Sequence, residues 1–193
     1  MTLYKFAINF MRPLSFLFLR LTHKGRENQP QSGSYIICCN HLSLMDAVLL
    51  GIMIKRPIRY MAKKELFRHK VLAFLFKKAG AFPVDRDKAD ITAIKTSLKI
   101  LKNGDILGIF PEGTRVKSQA DGEANMGVGL LATKANVPIL PVHIISKNNK
   151  VRLFRKVTIV IGEPMTFDPK PHATNEDFKE ISSIVMKKVY SLK

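Results

Sequence analysis

From residue 34 to the end of the chain, short apolar runs alternate with stretches of helical spacing. Residues 34–39 form an apolar run of strand length, and 46–55 follow as a helix that Asp46 is placed to cap. A second short strand is predicted over 57–62. Residues 65–78 carry Leu66, Phe67, Val71, Leu72, Phe74, Leu75 and Phe76 and predict a helix stopped by Gly80. Residues 81–84 read as a third strand. Ile91, Ile94, Leu98 and Leu101 then recur at helical spacing over 89–102, and Asn103-Gly104 ends that helix. Further strands are predicted over 105–110, 137–145 and the β-branched run 151–161, with helices over 125–135 and 174–192. Such alternation predicts an α/β fold, a mostly parallel central sheet with flanking helices. Pro138 and Pro141 within one strand suggest an edge or bulged position, because proline cannot donate to a ladder.

The first 24 residues differ in pattern. Leu3, Phe6, Ala7, Phe10, Leu14, Phe16, Leu17, Phe18, Leu19 and Leu21 are interrupted by Lys5, Arg12 and Arg20, with Pro13 in the middle. A membrane span needs about 20 largely apolar residues, which this stretch does not supply. The mixture suits a short N-terminal membrane-interface helix, or two helices broken at Pro13, with basic and aromatic side chains at headgroup level. The competing reading is a helix docked on the protein's own core. The expected division is therefore an amphipathic membrane-associating segment over 1–24 and an α/β domain over 25–193.

Composition narrows the partners. At 193 residues there is material for one sizeable core. Lys and Arg total 32 against 15 Asp and Glu, a formal net charge of +17, which asks for an anionic partner. Anionic membrane lipids, a phosphorylated substrate and nucleic acid all qualify. The chain has no Trp, and its aromatics are mostly Phe set among Leu and not interleaved with Arg for base stacking. Nucleic acid is therefore not expected. Cys38 and Cys39 are adjacent, which excludes a disulfide framework and a CxxC zinc site, and they read as small core residues. The five His show no metal-ligand spacing, so no metal is expected, and no GxSxG elbow is present. Gly127 to Ala132 fits GxGxxA, but no strand immediately precedes it and no acidic residue follows about 20 positions on.

Four segments carry candidate chemistry. Asn40-His41-Leu42-Ser43-Leu44-Met45-Asp46 leaves a strand and enters a helix, at the sheet edge where open α/β folds bind ligands. A carboxylate five residues after a His can turn back to one imidazole nitrogen and leave the other as a general base. On residue type alone, Asp46 could equally cap its helix and His41 be an ordinary loop polar group. Phe110-Pro111-Glu112-Gly113-Thr114-Arg115 also follows a strand, and its Arg suits a phosphate because the guanidinium donates two parallel hydrogen bonds. Gly80 to Arg86 and Val137 to Val142 are the other two, and Lys63-Lys64 adds a basic pair after the second strand.

In this order and spacing the four segments resemble the motifs NHxxxxD, GxxxxxR, FPEGTR and VPxxPV of the glycerolipid acyltransferase family, and within it the bacterial lysophosphatidic acid acyltransferases. The resemblance spans about residues 34–165. It implies transfer of a fatty acyl group from acyl-ACP or acyl-CoA to the sn-2 hydroxyl of 1-acyl-sn-glycerol 3-phosphate, giving phosphatidic acid. His41 would be the base and Asp46 its orienter. Arg115, Arg86 and Lys63 would clamp the phosphate, Glu112, Gly113 and Thr114 would belong to the acceptor site, and the region around Pro138 would line the acyl side. No covalent acyl-enzyme and no cofactor beyond the acyl thioester are implied. The expected location is the cytoplasmic face of the membrane, peripheral or monotopic. Family members commonly carry a longer N-terminal membrane element, whereas here one kinked helix would serve. The alternatives are the same chemistry on another acceptor (glycerol 3-phosphate, a lysophospholipid or an amino-acid lipid) or a non-catalytic basic protein binding membrane or nucleic acid.

Overall fold

The fold is known from a computed structural model that describes residues 2–85, 90–115 and 125–193, with side chains from residue 8 onward. The chain runs α1 (Thr2–Phe18), β1 (Leu21–Lys24), β2 (Tyr35–Cys39), α2 (Asp46–Met53), β3 (Ile58–Lys63), α3 (Lys70–Lys78), β4 (Ala81–Val84) and α4 (Ile91–Lys102). It continues through β5 (Ile106–Ile109), α5 (Gly127–Ala135), β6 (Ile139–Ser146), β7 (Val157–Ile161) and α6 (Asn175–Ser191). Among the described residues the strands form one seven-stranded sheet in the order β1-β7-β6-β2-β5-β3-β4. Every neighbouring pair is parallel except β6 with β7.

Strand β2 is central and buried along its whole length, which is why it reads as an unbroken apolar run with no alternation. Its alternate residues feed two cores. Tyr35, Ile37 and Cys39 meet Leu49, Leu50, Ile52 and Met53 of α2, with Ile8 and Met11 of α1 packed behind. Ile36 and Cys38 meet Leu131 of α5 and Ile181, Val185 and Val189 of α6. The result is a three-layer α/β domain whose parallel strands β2, β3, β5 and β6 end at one edge.

Several sequence expectations need correction. Residues 21–24, expected in the N-terminal segment, are an edge strand of the sheet, with Leu21 in register with Val157. The segment with two prolines leads into β6, which is internal, between β7 and β2, and holds only Pro141. It tolerates Pro141 because alternate N–H groups of a strand face the same side. Ile139 donates to Met165, so the N–H missing at Pro141 faces the bend between Ile161 and Met165, where Gly162 donates back to the Pro141 carbonyl. The strand expected over 151–161 shortens to β7, since the preceding residues turn sharply, with left-handed backbone at Asn148, Asn149 and Phe154. The helix expected over 65–78 is a 3-10 turn, Lys64–Phe67, followed by α3. Leu66 and Leu75 both line the cavity described below. At about 100° per residue they would sit on opposite sides of one continuous helix, and the break lets both border the cavity, Leu75 from its exposed rim.

Helix α1 is continuous through Pro13, and no described helix is long and apolar enough to cross a membrane. It is docked on one side only. Arg12 donates to the Ile52 carbonyl at 3.1 Å, and Ser15 and Leu19 are buried. Phe10, Phe16 and Leu17 stay exposed.

The GxGxxA run serves helix packing. A Cβ on Gly129 would stand 2.2 Å from the Phe178 carbonyl oxygen on α6, and the Gly129 N–H is taken by Ser182 Oγ at 3.0 Å. Backbone cannot yield as a side chain can, so Gly129→Ala must push α6 away. It is expected to destabilise the fold by about 1–3 kcal/mol, measured as a lowered denaturant midpoint.

Candidate active site

Asp46 is fully buried at the start of α2, and a buried carboxylate needs donors. It does not cap its own helix. The loop leaving β2 instead curls so that Leu42 N–H and Ser43 N–H donate to Asp46 Oδ2 at 2.6 and 2.7 Å. His41 Nδ1 reaches the same oxygen at 2.8 Å. Two backbone donors already fix Oδ2 as an acceptor, so Nδ1 carries a proton, and the neutral ring is the tautomer with its lone pair on Nε2. The spacing of His and Asp reads correctly from sequence, while the capping role assigned to Asp46 is replaced by this tighter loop.

The ring of His41 stacks on Phe110 at 4.2 Å between centroids, and Phe110 lies parallel to Tyr60 at 6.3 Å. Tyr60 in turn donates to the Ala47 carbonyl. The imidazole is thus held in plane by an aromatic wall and in rotation by Asp46. Asn40 locks the strand end. Its Nδ2 donates to the Ile144 carbonyl at 3.0 Å and its Oδ1 accepts from Ile144 N–H at 2.8 Å, which ties β2 to β6 where the loop begins.

Glu112 follows β5 at the same edge and is buried. Its Oε2 accepts from the His41 backbone N–H at 2.9 Å and its Oε1 from the Tyr190 hydroxyl at 2.6 Å. Burial pushes the carboxyl up from its ordinary value, and the Tyr190 and His41 donors pull it part of the way back. Both oxygens are engaged within the protein, and Glu112 holds the backbone under the His41 ring. Gly113 takes a left-handed φ of 68° and donates to the Phe110 carbonyl, which closes the turn that presents Thr114 and Arg115. The thiols of Cys38 and Cys39 are pushed well up by burial, which removes them as nucleophiles beside the site.

His41 opens on a cavity of about 800 Å³. Ile8 and Met11 of α1, Leu44, Val48, Leu66, Leu75, Phe76 and Phe110 make its wall largely apolar. Lys63, Thr114 and Arg115 line it too, so three polar residues predicted from sequence meet His41 at one opening. The exposed Lys63 ammonium stands 3.8 Å from Glu65 Oε2, beyond hydrogen-bond distance, a weak tie that leaves it available. Arg86 lies outside the described residues. None of the residues from Val137 to Val142 lines this cavity.

A family model for acyltransferases matches residues 20–145. The chain belongs to the acyltransferase family. This acyltransferase is 36% identical over 166 residues to the 1-acyl-sn-glycerol-3-phosphate acyltransferase of Bacillus subtilis, covering 84% of this chain and 82% of that one. It is 35% identical over 114 residues to the enzyme of the same name from Streptococcus pneumoniae, covering 58% of this chain and 42% of the relative. The crystal structure of the 1-acyl-sn-glycerophosphate acyltransferase from Thermotoga maritima superimposes with a TM-score of 0.75 at 28% identity, over 97% of this chain and 78% of that one.

Tyr190 was not singled out from sequence and lies beyond the family match. A single Tyr next to the buried stripe of a helix carries no local signal, and its partner is 78 positions away. Removing its hydroxyl leaves a buried carboxylate oxygen short of a donor, an effect of about 1–3 kcal/mol. Tyr190→Phe is expected to lower kcat several-fold with little change in the acceptor KM, because the hydroxyl does not line the cavity. Steady-state kinetics across acceptor concentration separate the two.

Proposed function

We propose that this acyltransferase moves a fatty acyl group from a thioester of acyl carrier protein or CoA to the sn-2 hydroxyl of 1-acyl-sn-glycerol 3-phosphate, giving phosphatidic acid. The observation that carries this reading is one cavity with three chemistries at its wall: the free nitrogen of an Asp-oriented His, two cations, and a long apolar surface. His41 Nε2 takes the proton of the acceptor hydroxyl as the oxygen attacks the thioester carbonyl. The tetrahedral intermediate collapses with cleavage of the carbon–sulfur bond. The departing thiolate is protonated by the imidazolium, which restores the base. Asp46 stabilises that imidazolium without itself taking the proton. Arg115 and Lys63 bind the acceptor phosphate, Arg115 through its two-pronged guanidinium. The thioester already supplies the activation, so the reaction needs no further group.

The names of the relatives support the acceptor, and so does the cavity wall. Apolar lining of this extent suits a lysolipid that brings its own acyl chain better than glycerol 3-phosphate, which has none. Such an acceptor resides in a bilayer, since each methylene withdrawn into water costs about 0.8 kcal/mol. We read the exposed Phe10, Phe16 and Leu17 of α1, with Leu44 and the Val71, Phe74 and Leu75 side of α3, as the apolar surface that meets it. The net charge of +17 suits an anionic, cytoplasmic leaflet. This makes the protein peripheral or monotopic.

A radiolabelled acyl-transfer assay on lysophosphatidic acid in vesicles tests the reading. His41→Ala is expected to lower turnover by about 10²–10⁴-fold, and Asp46→Asn by less, since it disturbs the tautomer and spares the base. Acyl transfer to another acceptor with none to lysophosphatidic acid would overturn the substrate. Arg115→Ala should cost about 2–5 kcal/mol in kcat/KM for lysophosphatidic acid, and Arg115→Lys should recover little of it. An equal loss on a phosphate-free acceptor would make Arg115 structural.

A further inference from the structure

Ten residues join β6 to β7, and they include Lys147, Lys150, Arg152, Arg155 and Lys156 with no acidic residue among them. Strand β6 is parallel to β2, so this connection leaves the sheet at the edge where His41 stands. It is pinned from beneath. Ser146 Oγ donates to the Lys150 carbonyl, Val151 packs on the core, and Phe154 N–H donates to the Phe18 carbonyl at the end of α1.

What the pinned loop presents is apolar. Leu153 is 65% exposed and Phe154 is 69% exposed. Phe154 holds a left-handed φ of 61°, a conformation that bulky residues rarely adopt. Its ring meets that of Phe18 edge-on at 5.7 Å, which joins the loop to the exposed Phe16 and Leu17. Lys147, Lys150, Arg152 and Lys156 are exposed around it, with Arg20 beside them.

We propose that this loop is a second membrane contact, with Leu153 and Phe154 entering the headgroup–acyl boundary of an anionic bilayer while the surrounding cations engage lipid phosphates. It rests on the reading that the enzyme works at a bilayer surface. Apolar side chains ringed by cations match that boundary, in which the ring lies below the charge. An acidic carrier protein would be met by the cations but gives no reason for a strained, outward aromatic. The loop and α1 would then grip the surface at one end of the site, and α3 at the other.

The chain has no Trp, so Phe154→Trp in the full-length protein installs a single indole reporter. Vesicles of phosphatidylcholine, with and without phosphatidylglycerol, are the probe. Addition of anionic vesicles is expected to shift the indole emission to the blue and to allow quenching by brominated acyl chains. Leu153→Ser/Phe154→Ser should weaken co-sedimentation at least about tenfold. Lys150→Gln/Arg152→Gln should weaken it about fivefold per charge on anionic vesicles only. All variants should keep the wild-type rate on a short-chain soluble acceptor, which shows that they fold. A silent indole, or unchanged sedimentation of the loop variants while Phe10→Ser/Leu17→Ser loses it, overturns the loop contact and leaves the bilayer reading standing. A raised KM for acyl carrier protein with unchanged sedimentation overturns it in favour of a carrier-docking surface. Wild-type protein that fails to sediment with any vesicle overturns the bilayer reading itself.

Discussion

Everything at the site depends on finding donors for one buried carboxylate. Asp46 sits at the foot of α2 with no exposure, and its Oδ2 gathers two backbone N–H groups and the imidazole. To bring Leu42 and Ser43 within reach, the chain must turn as soon as it leaves β2. That turn puts His41 against Phe110 and its N–H against Glu112. The same contacts that engage Asp46 Oδ2 therefore orient the His41 ring. The loop has little freedom left, which is what a general base held at a fixed distance from a hydroxyl requires.

The parallel sheet supplies the second half of the design. Because β2, β3 and β5 run the same way, the residues at or just past their ends, His41, Lys63 and the Glu112–Arg115 turn, arrive at one edge although they are far apart in sequence. An antiparallel partner in that position would have sent one group to the opposite end. The one antiparallel pair, β6 with β7, lies away from the base and brings the basic connection back to the same edge.

Much of this was legible in the chain. The alternation of runs gave the α/β class, and the His41–Asp46 spacing gave the dyad, because both depend on local periodicity. The capping role of Asp46 was misread because a helix-start carboxylate looks the same whichever way it turns. The interior placement of Pro141 was invisible because only the pairing partner tells which side the missing N–H faces. The resemblance assigns Glu112 to the acceptor site. Its two partners within the protein, a backbone N–H at residue 41 and a hydroxyl at 190, are tertiary and leave no local signal. Leu21–Lys24 is too short to stand out beside an apolar helix.

The bond from Tyr190 to Glu112 also ties the two faces of the sheet together. Helix α6 closes the second core through Ile181, Val185 and Val189. Its Tyr190 hydroxyl holds the carboxylate that receives the His41 N–H, while α2 holds the same loop from the first core through Asp46. A change that shifts α6 on its core is therefore felt beneath the His41 ring, although α6 and α2 pack on opposite sides of β2.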